Sequence, residues 1–555
     1  MTDIEIAQSV ELRDIREVAS RWGILEDDLM VYGKHKAKLP LNLINEEKMR
    51  QGRLVLVSAI SPTPAGEGKT TVTIGLSEAM NQTGRNTIPV LREPSLGPVF
   101  GMKGGATGGG YAQVLPMEDI NLHFTGDFAA IEKAHNLLAA LIANNLHQVQ
   151  NNLQIDPRTV HWKRVMDMND RSLRRIITGL GGTSSGIPRE TGFDITAASE
   201  IMAILCLADD LENLKARFGN IFVGFTFDGK PVYARDLKAT GAMAALMKDA
   251  IKPNLVQTIE GNAAIIHGGP FANIAQGTNS VIATRMGLSL ADYTITEAGF
   301  GFDLGAEKFF DIKCRDAGLK PQAVVLVATI RALKYHGGAP LHELKRPDVA
   351  RLKAGIPNLE KHLENIRHFG VPAVVAINRF ATDTDAEIEA LQAHFEGSDV
   401  EVHVADVWAK GGAGAHSLAD AVARLTEAND TAFKPLYDNS WSVEQKIETI
   451  CRTVYGAKAI DYTLQARKDL RKIAELGLDK LPVCIAKTQK SLSDNPELLG
   501  RPKDFVVTIR EIELAAGAGF LIPITGTIVR MPGLPARPAA ESIDIDREGK
   551  ITGLF

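Results

Sequence analysis

The sequence predicts an α/β fold, in which a mostly parallel sheet is flanked by helices and smaller α/β domains follow. Apolar runs rich in β-branched residues recur along the chain, and helical patterns lie between several of them. Such continuous apolar runs are typical of parallel strands, because both faces of a parallel sheet are buried. The predicted strands are Val55–Ile60, Thr87–Leu91, Ile221–Thr226, Ala263–Ile266, Tyr293–Thr296, Ala323–Ala328, Ala373–Ile377 and Glu401–Ala405.

Helical patterns between these strands support the same fold class. Two of them cover Phe128–Gln148 and Thr196–Ala216. One stretch departs from the parallel pattern, because Phe222–Tyr233 places Asp228-Gly229 between two apolar runs. An Asp-Gly pair in that position predicts a β-hairpin.

The order of these patterns also predicts the domain organisation. A charged helical stretch, Asp348–Phe369, precedes a second β-α-β-α unit, Ala373–Leu425, and the last portion, Pro482–Phe555, has strands of its own. We therefore expect a first domain over residues 1–360, a second α/β domain over residues 361–475 and a small C-terminal domain over residues 476–555.

The composition excludes several classes of protein. The 555 residues are 45% hydrophobic and 23% charged, which is ordinary for a globular chain. A net charge of −5 argues against a nucleic-acid partner, which requires a basic surface. No run approaches the roughly 20 apolar residues of a membrane span, so we expect no membrane partner. The N-terminus lacks a signal-peptide core and the four cysteines form no metal pattern, which predicts a cytoplasmic protein.

A glycine loop lies between the first long strand and a helix. Residues 61–71 read Ser-Pro-Thr-Pro-Ala-Gly-Glu-Gly-Lys-Thr-Thr. Backbone N–H groups of such a loop can surround phosphate oxygens at a helix N-terminus, where Lys69 reaches the outer phosphates and the Thr70 hydroxyl helps to hold Mg²⁺. Thr63 replaces the first glycine of the usual P-loop. We favour a variant P-loop over a plain turn, and with it a P-loop NTPase-like fold. The expected nucleotide-binding residues are Thr63, Pro64, Ala65, Gly66, Glu67, Gly68, Lys69, Thr70 and Thr71.

A second loop follows the next strand. Arg92 stands at the strand end, and six of the ten residues from Gly101 to Gly110 are glycine. Glycine there suits a backbone that approaches a ligand closely, although a flexible linker would also tolerate it. The Arg92 guanidinium has forked donors for a carboxylate or phosphate, and the alternative is a structural salt bridge.

Three further polar residues are candidates for support of the chemistry. His123 and Asp127 lie in a dense polar segment, where either could act as donor, base or acceptor, or be purely structural. Glu297 ends a strand, and an acid at that place in P-loop proteins often supports the metal or its waters. The alternative for Glu297 is a carboxylate that caps the next loop.

Two aromatic residues follow neighbouring predicted strands. Phe380 comes after Ala373–Ile377 and Trp408 after Glu401–Ala405. Ligands bind at the carboxyl ends of strands in open α/β sheets, so the pair could form a platform for a flat ring; filling of the core is the alternative. Ala381 stands where a guanine-reading GTPase has aspartate, which argues against a GTPase switch.

The chain resembles formate–tetrahydrofolate ligase, also called 10-formyltetrahydrofolate synthetase, over nearly its whole length in colinear order. The matching segments are Thr63–Thr71, Arg92–Gly97, Gly101–Tyr111, Glu118–Asp127, Arg189–Thr196, Pro253–Thr258, His267–Ile274, Glu297–Gly301, Gly305–Phe309 and Met531–Pro535. Two positions depart from the expected pattern: Ala129 stands in place of a histidine, and Phe302 in place of a small residue.

The resemblance implies an enzyme that joins formate to tetrahydrofolate with ATP and Mg²⁺, through a formyl phosphate intermediate. It places Lys69 and Thr70 at the ATP phosphates, and makes Arg92 the holder of formate and then of formyl phosphate, with Lys69 and Arg92 as the catalytic residues. The pocket for the pterin and adenine rings would be formed by Phe300, Phe380, Val404 and Trp408. A homotetramer and stimulation by a monovalent cation are implied as well.

Two other functions remain open from the residues alone. The chain could be an ATP-binding switch that regulates a partner, or a P-loop ligase or kinase that acts on another carboxylate. The glycine-rich second loop and the aromatic pair favour an enzyme, because a switch needs no pocket for a small molecule.

Overall fold

A twelve-stranded sheet is the main feature of the computed structural model, which describes residues 1–102, 106–150, 152–428 and 431–554. Seven strands of this described sheet run parallel to one another. They are β1 (Arg53–Ala59), β2 (Thr87–Leu91), β3 (Ala263–Ile266), β4 (Tyr293–Glu297), β5 (Ala323–Ala328), β6 (Ala373–Asn378) and β7 (Val402–Ala405). The sheet is thus large and mostly parallel, as the sequence predicted.

The parallel strands lie in the order β3-β2-β4-β1-β5-β6-β7. In register, Ile295 of β4 stands opposite Val55 of β1 on one side and Pro89 of β2 on the other. Residues of β2, β4 and β5 are buried throughout, which explains why these strands have no polar alternation in the sequence. Since the strands are parallel, the segments that follow them meet at one edge of the sheet.

Antiparallel strands extend the sheet beyond β3. Asn254–Thr258 pairs with β3 and also with Ala37–Lys38, which in turn pairs with Met30–Val31. A small hairpin of Gly108–Gly109 and Ala112–Leu115 joins the opposite end of Asn254–Thr258. This hairpin is the described part of the glycine-rich second loop, whose residues 103–105 lie outside the described residues.

Four long helices cover the faces of the sheet. They are α1 (Lys69–Gln82), α2 (Asp127–His147), α3 (Val281–Leu290) and α4 (Val349–His368). The helix α1 shares a buried cluster with the sheet, in which its Val72 and Leu76 lie with Val55 and Val57 of β1.

The other helical elements, which have between 3 and 13 residues, fill the connections. The α-helices are Asp3–Gln8, Ile15–Ser20, Glu46–Gln51, Leu96–Phe100, Met117–Asn121, Glu200–Leu207, Leu211–Gly219, Thr240–Leu246, Arg315–Ala317, Ile330–His336, Asp385–Phe395, Val407–Lys410, His416–Ala428, Val443–Ile450 and Leu464–Glu475. The 3₁₀ turns are Glu26–Asp28, Leu41–Leu43, Pro157–Thr159, Arg171–Arg174, Thr183–Ser185, Thr196–Ala198, Leu341–Glu343, Gly411–Ala415 and Ala539–Glu541, and the π-helical turns are Phe302–Ala306, Phe309–Cys314 and Cys451–Tyr455.

The helix predicted over Thr196–Ala216 is interrupted. Glu200–Leu207 ends at Ala208, whose backbone is extended, and Asp210 then caps a new helix by accepting a hydrogen bond from the Asn213 N–H. An aspartate at this position favours a new helix start, because its side chain satisfies one of the unpaired N–H groups of the first turn.

Small two-stranded sheets lie outside the main sheet. The pairs are Arg164–Met166 with Phe193–Ile195, Ile176–Thr178 with Arg189–Thr191, Phe222–Phe225 with Pro231–Tyr233, Ala459–Tyr462 with Val506–Ile509, Glu511–Ala515 with Phe520–Ile524, and Asp544–Ile545 with Ile551–Thr552. The third pair is the hairpin predicted around Asp228-Gly229.

The strands β6 and β7 continue the main sheet beyond residue 360. In register, Val324 of β5 stands opposite Ala373 of β6. A separate buried cluster gathers Tyr437, Ile447, Tyr455, Phe505 and Leu521 in the C-terminal part. The domain boundaries at residues 360 and 475 stay a prediction about units of folding.

No helix among the described residues is long and apolar enough to cross a membrane.

Candidate functional site

The candidate site lies where five segments leave the carboxyl edge of the parallel sheet. The glycine loop follows β1, Arg92 follows β2, the Glu297–Phe300 segment follows β4, Phe380 follows β6 and Trp408 follows β7. The strand order places β4 directly between β1 and β2. The loop, the acid and the arginine are therefore neighbours, although they are far apart in the sequence.

The glycine loop ends at Gly68, whose φ of 69° lies in the left-handed region. A Cβ at this position would lie 2.3 Å from the Asn378 side-chain nitrogen, so both conformation and space require glycine. Helix α1 begins at the next residue, Lys69. This arrangement points the N–H groups of the first turn of α1 out of the sheet edge, where an anion could bind.

A buried acid stabilises the loop from inside. The Glu67 carboxylate accepts a hydrogen bond of 2.7 Å from the Thr63 N–H and another from the Thr329 hydroxyl. The Asn378 amide donates to the Glu67 carbonyl at 3.0 Å. Burial raises the pKa of Glu67 above its ordinary value. Thr329 directly follows β5 and Asn378 ends β6, so the next two strands on one side of β1 hold its loop.

The predicted nucleotide-binding residues differ in exposure. Thr63 and Glu67 are buried, whereas Gly68, Lys69, Thr70 and Thr71 are half-buried. The exposed residues are Pro64, Ala65 and Gly66. The turn of the loop therefore faces solvent while its two ends are held by the protein.

Thr70, Glu297 and Arg92 form one connected group. The Thr70 hydroxyl donates to Glu297 Oε2 at 2.7 Å, and Arg92 Nη2 lies 3.6 Å from Glu297 Oε1. Glu297 is 1% exposed, while the Arg92 side chain is 24% exposed. The acid thus contacts both the P-loop threonine and the arginine predicted to bind a carboxylate.

Several buried polar atoms at this edge have no hydrogen-bond partner among the described residues. They include Arg92 Nε, Glu297 Oε1 and both polar atoms of the Gln276 amide. Buried polar groups are paired in the great majority of cases, and orphaned ones point to a bound molecule or water. These atoms lie in the segments that follow β2, β3 and β4.

Small residues form a close wall against Arg92. A Cβ at Gly299 would lie 2.9 Å from Arg92 Nη1 and 2.4 Å from the Ala272 Cβ. The Gly299 N–H donates to the Gly277 carbonyl at 2.8 Å, which fixes the glycine against the loop after β3. Space beside the guanidinium is therefore limited, which suits a very small ligand.

Trp408 lies on the backbone of the glycine-rich second loop. A Cβ at Gly110 would lie 2.1 Å from the Trp408 carbonyl oxygen and 2.7 Å from its Cγ, and the φ of Gly110 is 57°. The indole Nε1 donates to the Asp3 carboxylate at 3.2 Å. The sequence predicted that the backbone of this loop approaches a ligand closely. In the structure the backbone closely approaches Trp408, which is 46% exposed.

The other predicted ring-pocket residues have different surroundings. Phe380 is half-buried beneath Arg331, whose guanidinium carbon lies 3.5 Å from the ring centroid. Phe300 is half-buried with a φ of 58°, an uncommon backbone conformation for a residue with a side chain. Val404 is half-buried on β7, opposite Ile377 of β6.

Asp127 and His123 have separate roles. Asp127 is buried, accepts from the Lys38 ammonium at 2.7 Å and from the Asn254 amide at 2.8 Å. His123 is exposed. Ala129, the first departure from the expected pattern, is exposed on α2.

Phe302, the second departure, belongs to the core. It is fully buried and its ring lies 5.8 Å from that of Phe310 and 6.0 Å from that of Phe369. The side chain therefore packs with the aromatic residues beneath the site.

Sequence reasoning missed three residues at this edge: Thr329, Asn378 and Gln276. The sequence pattern could have indicated Thr329 and Asn378, because each stands at the end of a correctly predicted strand. Gln276 stands ten residues beyond the end of β3, and nothing in the local pattern distinguishes it from other loop residues.

Among the residues that the structure describes, no group of three or more His, Cys, Asp or Glu side chains could hold a metal ion. All four cysteines are buried and unpaired by disulfides.

The comparison with known families identifies one match. The family described as "Formate--tetrahydrofolate ligase" matches residues 1–555. Among solved structures, a glycine-to-serine point mutant of L. casei FPGS aligns with 13% identity and a TM-score of 0.16, over 71% of this chain and 97% of that chain. So low a score supports no statement about the fold.

Proposed function

Because the chain belongs to the formate–tetrahydrofolate ligase family, which joins formate to tetrahydrofolate at the expense of ATP, we propose that the reaction takes place at the Arg92–Glu297–Thr70 group and passes through formyl phosphate. The proposal rests on one observation, which is that the glycine loop lies close to the cationic side chain of Arg92. The Thr70 hydroxyl and Arg92 contact the same buried carboxylate, Glu297.

Activation of formate explains why ATP is required. Hydroxide is too poor a leaving group for an amine to displace. A formate oxygen therefore attacks the γ-phosphorus, and ADP leaves. The amine nitrogen of tetrahydrofolate then attacks the formyl carbon, loses its proton, and phosphate departs with one formate oxygen.

The first step brings two anions together, so positive groups must neutralise both. We assign the ATP phosphates to Lys69 and the N–H groups of residues 63–71, and the carboxylate to Arg92. Its guanidinium matches two carboxylate oxygens and carries its charge at any physiological pH. Pre-arranged charges of this kind act mainly by positioning and electrostatic stabilisation. A phosphate-binding loop between β1 and α1 would make the fold P-loop NTPase-like.

The donor set at Thr70 fits a Mg²⁺ ion that arrives with ATP. The threonine hydroxyl lies 2.7 Å from Glu297, whose second oxygen has no hydrogen-bond partner among the described residues. Bound Mg²⁺ would neutralise charge on the outer phosphates. Thr70 would contact the ion, and Glu297 would hold its waters.

The pterin and adenine rings are assigned to Phe300, Phe380, Val404 and Trp408. Phe300, Phe380 and Trp408 follow strands at the same edge, and the exposed Trp408 ring is supported by the backbone of Gly109–Gly110. A supported and exposed aromatic ring suits stacking on a flat ligand.

The remaining statements derive from the resemblance and stay proposals: a homotetramer, a cytoplasmic location and stimulation by a monovalent cation. The surroundings of the buried Glu93 carboxyl group would suit such a monovalent cation. Its pKa is raised well above the ordinary value by burial and by the Asp127 carboxylate, and its Oε2 has no hydrogen-bond partner in the described part of the chain. A positive ion would relieve this repulsion.

Oxygen-labelled formate tests the intermediate. We expect the wild-type protein to transfer one ¹⁸O from formate to the phosphate released with 10-formyltetrahydrofolate. Arg92→Ala should lower kcat by a factor of about 10²–10³, because a positioned charge is lost, while ATP affinity changes little. The exposed Arg158, changed to Ala, is the matched control.

Unlabelled phosphate would contradict the formyl phosphate route, and normal turnover of Arg92→Ala would remove that residue from the site. ATP hydrolysis that is independent of formate would instead favour the switch function left open by the residues alone.

A further inference from the structure

The loop after β3 runs between the two segments that carry Arg92 and Glu297. At its start, the Gly268 carbonyl accepts a hydrogen bond of 2.8 Å from the Glu93 N–H. Further along, the Gly277 carbonyl accepts one of 2.8 Å from the Gly299 N–H. Gln276 directly precedes Gly277 and is therefore held at the same edge as the Arg92 guanidinium.

The end of this loop is fixed to the sheet. The Asn279 amide donates to the Val90 carbonyl of β2 at 2.7 Å and to the Thr296 hydroxyl of β4 at 2.6 Å. The Lys313 ammonium, itself buried, donates to Asn279 Oδ1 at 3.0 Å and to the Thr278 hydroxyl at 2.9 Å. Two of these hydrogen bonds fix the loop against β2 and β4, and the other two tie it to Lys313 in the π-helical turn Phe309–Cys314.

The Gln276 side chain is 0% exposed, and neither of its polar atoms has a hydrogen-bond partner of ordinary geometry among the described residues. The amide does interact with the buried Cys206 thiol, whose pKa it lowers, but a thiol is a weak partner and leaves most of the hydrogen-bonding capacity of the amide unused. Because the loop is fixed so firmly, we expect the two polar atoms of the Gln276 amide to pair with a bound molecule.

Cys206 connects this amide to Arg92. A Cβ at Gly268 would lie 2.3 Å from the Cys206 sulfur, which places the thiol under the start of the loop. Burial raises the pKa of the thiol to about 12, and Lys313, the Gln276 amide and Arg92 partly oppose that rise. The amide and the guanidinium therefore both act on one thiol, and Arg92 Nε and Gln276 Nε2 both lack a hydrogen-bond partner of ordinary geometry among the described residues.

We propose that Gln276 is a substrate-binding residue of the one-carbon acid, whose amide N–H donates to an oxygen of the formate held by Arg92. In formyl phosphate the same N–H donates to the formyl oxygen. The proposal rests on the proposed function. The amide would add a neutral hydrogen-bond donor to the charged guanidinium of Arg92. Together with the limited space beside Gly299, it would restrict the site to a very small carboxylate.

Gln276→Leu tests this role, because it keeps most of the volume and removes both polar atoms. We expect the formate KM to rise about tenfold to a hundredfold, as for a lost hydrogen bond to a charged group. The KM values for ATP and tetrahydrofolate should stay within about twofold of wild type. Asn365→Leu removes a buried amide far from the edge and is the matched control.

Gln276→Glu supplies a measurement that a change in packing alone would not affect, which is the pH dependence of the formate KM. An ionised glutamate repels formate and has no donor, whereas a protonated one can donate. The ratio of its formate KM to that of wild type should fall as the pH is lowered. A ratio that does not vary with pH would overturn the proposal, as would a formate KM of Gln276→Leu equal to wild type.

A crystal structure of the wild-type protein with ADP and formate provides a measurement that needs no variant. We expect a formate oxygen within hydrogen-bond distance of Gln276 Nε2, about 2.7–3.2 Å. A separation above about 4 Å would overturn the proposal. Failure of the proposed function is distinct, because it would appear in the wild-type protein as an absence of formate-dependent product.

Discussion

At the scale of single residues, the site combines a permanent cation with a buried acid. Arg92 Nη2 lies 3.6 Å from Glu297 Oε1, which is too long for a hydrogen bond but close enough for strong attraction. Glu297 therefore orients the guanidinium without using all of its donors. The N–H groups that remain are available to an anionic substrate.

Trp408 illustrates how one exposed side chain depends on its support. A Cβ at Gly110 would collide with the Trp408 carbonyl oxygen and Cγ, and one at Gly109 would lie 3.4 Å from the ring. The free face of the exposed indole suits stacking on a pterin, which is the use proposed here.

Trp408→Ala should raise the tetrahydrofolate KM about tenfold, because stacking area is lost. Formate-dependent transfer of the γ-phosphoryl group should be retained. Steady-state kinetics with tetrahydrofolate as the varied substrate measures the effect. Trp441→Ala, at an indole of similar exposure, is the control. An unchanged tetrahydrofolate KM would count against the ring-pocket assignment.

At the scale of elements, the glycine loop is held by residues that follow or end β5 and β6, the next two strands on one side of β1. Thr329 after β5 and Asn378 at the end of β6 both contact Glu67. Glu67 in turn accepts from the Thr63 N–H at the start of the loop. The loop has lost one glycine of the usual P-loop, and the internal carboxylate supplies part of the rigidity that phosphate binding requires.

Glu67→Ala should therefore raise the ATP KM about tenfold, because the loop loses two internal hydrogen bonds. Glu67→Gln should stay within about threefold of wild type, since an amide can take both places and burial already raises the pKa of this acid. Titration calorimetry with a non-hydrolysable ATP analogue measures the affinity directly. The exposed Glu389, changed to Ala, is the control. Equal affinity of Glu67→Ala and wild type would exclude this role.

At the scale of the whole molecule, the C-terminal part is attached beneath the site by buried charged groups. Lys487 forms an ion pair of 2.6 Å with Asp303, three residues beyond Phe300. The Glu200 carboxylate accepts from the N–H groups of Gly517 and Ala518 at 2.8 and 3.1 Å. Such contacts couple the orientation of the site segments to the C-terminal part.

The burial of Glu200 gives stability a dependence on pH, which the two backbone hydrogen bonds partly oppose. Burial raises the pKa of Glu200 from 4.5 to about 7 in the folded protein. The folded state therefore binds a proton more tightly than the unfolded state. The stability that this group contributes is complete below pH 4.5 and is lost as the pH rises towards 7.

Glu200→Gln should remove this dependence, since glutamine keeps an acceptor and does not ionise. We expect the melting temperature of the variant, relative to wild type, to rise between pH 5 and pH 8 by about 1–3 °C. Differential scanning calorimetry of both proteins at each pH measures it. Glu212→Gln, at an exposed acid, should show no such trend. A constant difference between Glu200→Gln and wild type would contradict the assignment.

Local sequence determined the strands and the residues that end them. The parallel strands were readable as apolar runs because each is buried on both faces. Arg92 and Glu297 were readable because they directly follow or end such a run, and Lys69 because a glycine loop precedes it. Tertiary structure alone decided which of these ends are neighbours, since β4 inserts between β1 and β2 although some 200 residues separate it from β2 in the chain. It also decided that the loop carrying Gln276 meets the segment after β4, through the hydrogen bond from Gly299 to Gly277, and that Phe302 is buried. Loop paths depend on hydrogen bonds between distant segments and leave no periodic pattern in the sequence.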